Sequence, residues 1–147
     1  MVNALIMKSI FIDTGFLIAL EASDDQHHEA AQTYWQYLMT SDTHFITTSY
    51  IIDEVVTFFN SRSRHSKAVE IGNCLLNSPS VRLIHVDEPL FYEGWKYFKH
   101  HADKFYSLTD CISFIVMSKF GIWKALTFDK YFEQAGFEKL PATKEYL

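Results

Sequence analysis

The chain has 147 residues, the length of one domain, and 48% of them are apolar and 16% aromatic, so it can bury a core without disulfides or a structural metal. That composition excludes an intrinsically disordered chain. Thirteen Lys and Arg stand against 18 Asp and Glu, a net charge of −5, which excludes recognition of polyanions by a globally basic surface and leaves only local contacts.

Residues 9–13, S-I-F-I-D, read as a short strand that ends at Thr14-Gly15, where a helical period opens with Phe16, Leu17, Ala19 and Leu20. Residues 26–40 carry Ala30, Ala31, Tyr34 and Leu38 at helical spacing. A short strand follows at 44–47, then Thr48 or Ser49 as the N-cap of a helix reaching Asn60, then a further helix at 66–76. Asn77-Ser78-Pro79-Ser80 is a turn signal, residues 81–86 a strand, and Asp87-Glu88-Pro89 opens an amphipathic helix with Leu90, Phe91, Trp95 and Phe98. Ser107 starts a helix over 108–120 that Gly121 ends; residues 125–128 form a strand, and Asp129 begins a last short helix that stops at Gly136. Strand and helix alternate, with no repeat or dividing linker. The expected fold is therefore one α/β domain over residues 1–147, a mostly parallel central sheet flanked by helices.

Cys74 and Cys111 each sit in an apolar stretch, belong to no C-x-x-C pair, and are expected as small core side chains. Residues 1–7 lack the basic start, long apolar run and small-residue cleavage site of a secretory signal. The longest apolar runs, near 51–59 and 112–117, fall well short of the roughly 18 residues that span a bilayer. A cytoplasmic protein without membrane association is the expectation.

Four acidic residues stand out. Asp13 and Asp129 each follow a strand directly, and ligands of open α/β sheets collect beyond the carboxyl ends of the strands; each can equally serve as the N-cap of the next helix. Asp53 shares a helix face with Ser49, Thr57 and Asn60, whereas Glu54 shares one with Tyr50, Ile51 and Phe58. A carboxylate on an apolar face is costly without a cation or hydrogen bonds, which singles out Glu54. Ser107-Leu108-Thr109-Asp110 has capping-box spacing, which alone accounts for Asp110, yet the nearly apolar run that follows implies a buried helix whose N-terminus opens inside the protein. If the four converge, each adjacent pair about 4 Å apart repels by roughly 4 kcal/mol at an effective dielectric of 20. A hard divalent cation removes that penalty: Mg²⁺ or Mn²⁺ suits oxygen-only ligands and supports in-line hydrolysis of a phosphodiester by an activated water.

The segments F-I-D-T-G-F-L-I-A-L, I-I-D-E-V-V, D-K-F-Y-S-L-T-D-C-I-S-F and L-T-F-D-K-Y-F-E-Q-A-G-F resemble those of PIN-domain nucleases, most closely the VapC-type toxins of type II toxin–antitoxin pairs, over residues 8–140. The resemblance implies that Asp13, Glu54, Asp110 and Asp129 form a catalytic metal site, and that Thr14, Ser107 and Thr127 hold the places of supporting hydroxyl residues. Gly15 departs from the Ser, Asn or Ala often found in the opening motif and removes one possible supporting hydroxyl. It further implies a metal-dependent ribonuclease with an RNA substrate, a homodimer, and a small antitoxin whose peptide blocks the acidic cleft. Arg62, Arg64 and Lys67, in S-R-S-R-H-S-K, are the densest basic group and read either as a solvated turn or as an RNA contact.

Other readings remain open at this point. A phosphotransfer domain would also place an Asp after its first strand, but Gly15 stands where a dehalogenase-type phosphatase wants its second acid. A PIN-like module that binds RNA or a partner without turnover, and a housekeeping RNA-processing nuclease, share the same motifs. The pairs His27-His28 and His100-His101 suggest zinc only weakly, because adjacent residues on a helix point to different sides. Trp35, Trp95 and Trp123 are expected in core or dimer packing ahead of base stacking.

Overall fold

The computed structural model describes residues 9–142. The reading of residues 1–7 as lacking a signal segment lies outside the described residues. In chain order the elements are β1 (Ser9–Ile12), α1 (Thr14–Glu21), α2 (His28–Met39), β2 (His44–Thr48), α3 (Ser49–Ser61), α4 (His65–Asn77), β3 (Val81–Ile84), α5 (Glu88–His100), α6 (Leu108–Phe120), β4 (Lys124–Leu126), α7 (Lys130–Gln134) and β5 (Glu138–Leu140). The five strands form one sheet in the order β3-β2-β1-β4-β5, and every neighbouring pair is parallel. The α/β expectation holds, and the sheet is wholly parallel where a mostly parallel one was expected.

Parallel strands covered on both faces need continuous apolar runs, and Phe11, Ile12, Phe45, Ile46, Ala125 and Leu126 supply them, all buried. From the helices Phe16, Ile51, Val55, Phe59, Ile112, Phe114 and Met117 close over them. Helix α6 is buried for most of its length, which is why the run after Asp110 carries so few polar residues. Its Phe114 meets Phe132 and Tyr106 edge-on, with ring centroids 5.0 and 5.1 Å apart. Gly121 ends α6 in the left-handed region at φ 66°, the conformation its sequence position predicts.

The differences from expectation are local. Residues 138–140 form a fifth strand that sequence pattern alone does not reveal: E-K-L is only three residues long, two of them charged, and gains its ladder by pairing with β4 at the sheet edge. Strand β3 stops at Ile84, short of the expected 86, and β4 covers Lys124–Leu126 in place of 125–128. Cys111 is buried as expected, but Cys74 is exposed, because α4 turns that position away from the core and buries Ala68, Ile71 and Leu75. Among the described residues no helix is long and apolar enough to cross a membrane.

The order of the strands fixes where a ligand belongs. From β1 the chain winds outward through β2 and β3, then returns to the other side of β1 to add β4 and β5. The winding reverses between β1 and β4, and the crevice at their carboxyl ends is the place such a sheet offers for binding.

One close approach supports this arrangement from below. A Cβ on Gly94 of α5 would run into Ile112 Cγ1, and Ile112 is fully buried in α6. Gly94→Ala is therefore expected to lower stability by about 1–3 kcal/mol through overpacking, despite the better helix propensity of Ala; thermal unfolding of the variant against the parent checks this.

Candidate active site

Each of the four acidic side chains reaches the crevice by a local rule. Asp13 follows β1 directly, and its backbone N–H donates to Leu126 O of β4 at 3.0 Å, so the chain is still pinned to the neighbouring strand where the side chain leaves it. Asp13 occupies the N-cap position of α1, yet its side chain makes no cap hydrogen bond. Its Oδ2 instead accepts from Thr127 Oγ1 at 2.8 Å. The Asp129 N–H donates to the same Thr127 hydroxyl at 3.0 Å, so one buried threonine joins the ends of β1 and β4.

Asp129 caps α7, its Oδ1 accepting from the Tyr131 N–H at 2.9 Å. Asp110 closes a capping box: Ser107 N–H donates to Asp110 Oδ2, and Asp110 N–H donates to Ser107 Oγ, both at 3.0 Å. Glu54 lies in the second turn of α3, half-buried, and its Oε1 accepts from Thr14 Oγ1 at 2.6 Å. Asp53 is exposed and accepts from Thr57 Oγ1 at 3.5 Å, so the two neighbouring acids separate as their helix faces require. Thr14, Ser107 and Thr127 each hold one oxygen of one carboxylate, and every carboxylate keeps acceptor capacity on its other oxygen.

All four acids line one open cleft of about 460 Å³, together with Thr14, Gly15 and Ser107 and three aromatic side chains, Phe105, Phe128 and Tyr131. A Cβ on Gly15 would meet nothing within 4 Å, so this position leaves the cleft open. No Lys or Arg is among the described lining residues, and none of the four acids forms an ion pair among the described residues.

The electrostatics record the crowding. Burial pushes Asp13 up to about 7, against the hydrogen bond from Thr127, and the charges of Asp110 and Asp129 push the same way. Burial likewise lifts Asp110 to about 6, against the Ser107 N–H, with the charges of Asp129 and Glu54 adding to the rise. These interactions join the four acids into one electrostatic unit.

Other expected contributors lie elsewhere. Arg62 sits over the Phe58 ring at 3.7 Å and Arg64 over the Phe59 ring at 5.2 Å, while Lys67 pairs with Glu21 at 2.8 Å; none of the three lines the cleft. Arg62 lies eight residues beyond Glu54, about 12 Å along the helix axis. His28, His100 and His101 have Nδ1 within 2.7, 2.8 and 2.7 Å of the Ala19, Lys96 and Tyr97 carbonyl oxygens. Trp35 stacks on Phe45, Trp95 on Phe98 and Trp123 on Phe137, all away from the cleft. Phe105, Phe128 and Tyr131 are absent from the sequence-based expectations. Their one signal there is adjacency: each lies within a few residues of Ser107 or Asp129.

Acids gathered at the reversal point of a parallel sheet, each oriented by a hydroxyl or a cap, define an α/β domain that presents hard oxygen donors to a ligand. The PIN-domain family model matches residues 10–138, and the chain belongs to that family. It is 35% identical over 128 residues to the 23S rRNA-specific endonuclease VapC20 of Mycobacterium tuberculosis, a match that covers 87% of this chain and 95% of that protein. The crystal structure of the same VapC20, described as a sarcin-ricin loop cleaving toxin, superimposes with a TM-score of 0.79 at 34% identity over 87% of this chain and 95% of the other. FitAcB from Neisseria gonorrhoeae shares the fold at a TM-score of 0.61 and 17% identity, with 88% and 95% coverage.

The raised carboxyls make a stability prediction for the metal-free protein. A carboxyl whose folded value lies above its unfolded one binds its proton more tightly when folded, so stability is fully present below about pH 4 and is lost as pH rises through about 6 for Asp110. Asp110→Asn keeps an acceptor for the Ser107 N–H and removes the charge. With chelator present at pH 8 the variant is expected to gain roughly 1–2 kcal/mol, about 2–8 °C in Tm, after discounting for the open cleft. At pH 4 the gain should vanish. A pH series of thermal melts measures both.

Proposed function

We propose that this protein is an endoribonuclease that depends on a divalent ion, Mg²⁺ or Mn²⁺, and that it acts as the toxin of a toxin–antitoxin pair. The observation that carries the reading is the convergence of Asp13, Glu54, Asp110 and Asp129, from four separate segments, on one cleft whose described lining holds no cation. The similarity to a protein named as a 23S rRNA-specific endonuclease, over nearly the whole of both chains, supports the reaction class.

The donor set fits a hard ion. All four donors are carboxylates, and among the described residues no three His, Cys, Asp or Glu side chains stand in ready ligand geometry. Mg²⁺ keeps several of its waters and takes a few carboxylates plus phosphate oxygens, so an open set of acids suits it. Asp13, Asp110, Asp129 and Glu54 are the residues that would hold the ion. A divalent ion bound there supplies the positive charge that favours deprotonation of a water and offsets charge on the phosphate.

The chain's own contribution is placement. Thr127 sets the rotamer of Asp13, the capping box sets that of Asp110, and Thr14 sets that of Glu54. Such supporting bonds to ligands are worth one to two orders of magnitude in affinity or activity when lost. Burial of Asp13 and Asp110 keeps bulk water from screening them. The family resemblance adds a cognate antitoxin whose peptide covers the acid cleft, a homodimer, and a cytoplasmic setting. Arg62, Arg64 and Lys67 stand beyond the end of α3 and outside the cleft lining, so they serve either as a solvated basic turn or as a contact to RNA that extends past the cleft.

Purified protein with Mg²⁺ or Mn²⁺ is expected to cleave RNA, and Asp110→Asn to lower kcat/KM on the order of 100-fold or more with the fold retained. Chelation should abolish cleavage and restored metal should recover it. Gel-resolved time courses on ribosomal and total RNA measure this, and a parent no faster than Asp110→Asn on any RNA contradicts the reading.

A further inference from the structure

We propose that Phe105 is a positioning residue that stacks on a nucleobase flanking the scissile phosphodiester. This inference rests on the nuclease reading above and specifies how that cleft grips its substrate.

Phe105 is 83% exposed, the most exposed large apolar side chain among the described residues. A single exposed apolar residue is ordinary on a protein surface; its position is not ordinary here. It lies in the segment between α5 and α6, two residues before Ser107, and it lines the cleft beside Asp110. The next residue, Tyr106, is buried against Phe114, Tyr97 and Tyr131 and anchors the segment. With Tyr106 held inward, Phe105 is turned to the cleft.

The other aromatic walls are already engaged. Phe128 stacks on Phe16 and on His27, with centroids 5.8 and 4.3 Å apart and interplanar angles of 14° and 8°. Tyr131 meets Tyr106 edge-on at 5.7 Å. Phe105 takes part in no ring pair among the described residues, so its faces are available to a ligand.

The charge of the cleft gives that availability its use. Four acids and no described Lys or Arg line it, so the walls repel the phosphates of any strand except where a cation intervenes. Grip on the rest of the nucleotide has to come from an uncharged surface. Base stacking on an aromatic ring supplies it, tolerates any base and is insensitive to the sign of the surrounding charge.

The test uses full-length protein and the RNA it cleaves, with the flanking bases of the mapped cleavage position removed one at a time. On intact RNA, Phe105→Ala is expected to lower kcat/KM roughly 10- to 100-fold, the range that loss of one stack gives, mostly in KM; Phe105→Trp should restore it and Phe105→Leu should not. Removing the stacked base should cost the parent a similar factor and Phe105→Ala nothing further. Binding of a single strand carrying 2-aminopurine should quench its fluorescence with the parent and not with Phe105→Ala. Parent-like kcat/KM in Phe105→Ala, full rescue by Leu, or equal losses on intact and base-deleted RNA would each overturn the proposal and leave Phe105 to a protein partner or to solvent. If the parent cleaves no RNA the nuclease reading fails, and the fluorescence arm then decides alone: quenching that needs Phe105 supports stacking on a bound strand, and its absence overturns it.

Discussion

Negative charge is concentrated where the parallel sheet reverses its winding, and the rest of the structure is arranged to tolerate it. Two of the carboxylates, Asp13 and Asp110, are buried, and their pKa values rise to about 7 and about 6 because burial first, and the charges of neighbouring acids second, oppose ionisation. A fold selected for stability alone would place a cation or apolar side chains at such a point. Here the described lining carries no Lys or Arg, and each acid is steadied by neutral donors that fix its direction without removing its charge.

That steadying is done with ordinary fold-building devices. The capping box that starts α6 also aims Asp110, and the N-cap of α7 also aims Asp129. Thr127 joins β1 to β4 through Asp13 and the Asp129 N–H in a single buried hydroxyl. A cap or a strand-joining bond therefore does not take these acids out of the cleft. Asp13 is the exception: it stands at an N-cap position but leaves that duty unperformed, and its side chain is given to the cleft.

Much of this is legible in the primary sequence because it depends on local rules. The strand-end place of Asp13, helix-face registers and cap spacings are short-range, and they bring out Asp13, Asp110 and the choice of Glu54 over Asp53; Asp129, expected directly after its strand, stands instead beyond Thr127 and Phe128 as the N-cap of α7, because β4 already ends at Leu126. What is not legible depends on distant pairing. Strand β5 exists because β4 offers it an edge, and three residues with two charges among them carry no periodic signature. Cys74 faces outward because of how α4 docks, which its apolar neighbours in sequence do not reveal. The cleft aromatics were hidden for a similar reason: whether Phe105 or Tyr106 is the buried one is decided by the Tyr97, Phe114 and Tyr131 rings, which come from three other elements.

The place where a divalent ion binds tests the role of the acid cleft most directly. Crystals grown or soaked with Mn²⁺ and measured at its absorption edge should show an anomalous peak in this cleft, within coordination distance of Asp13 and Asp110 oxygens, and no peak there for Asp110→Asn. Manganese bound elsewhere with the cleft empty, or Asp13 and Asp110 carboxylates turned away from each other onto separate basic partners, would contradict it.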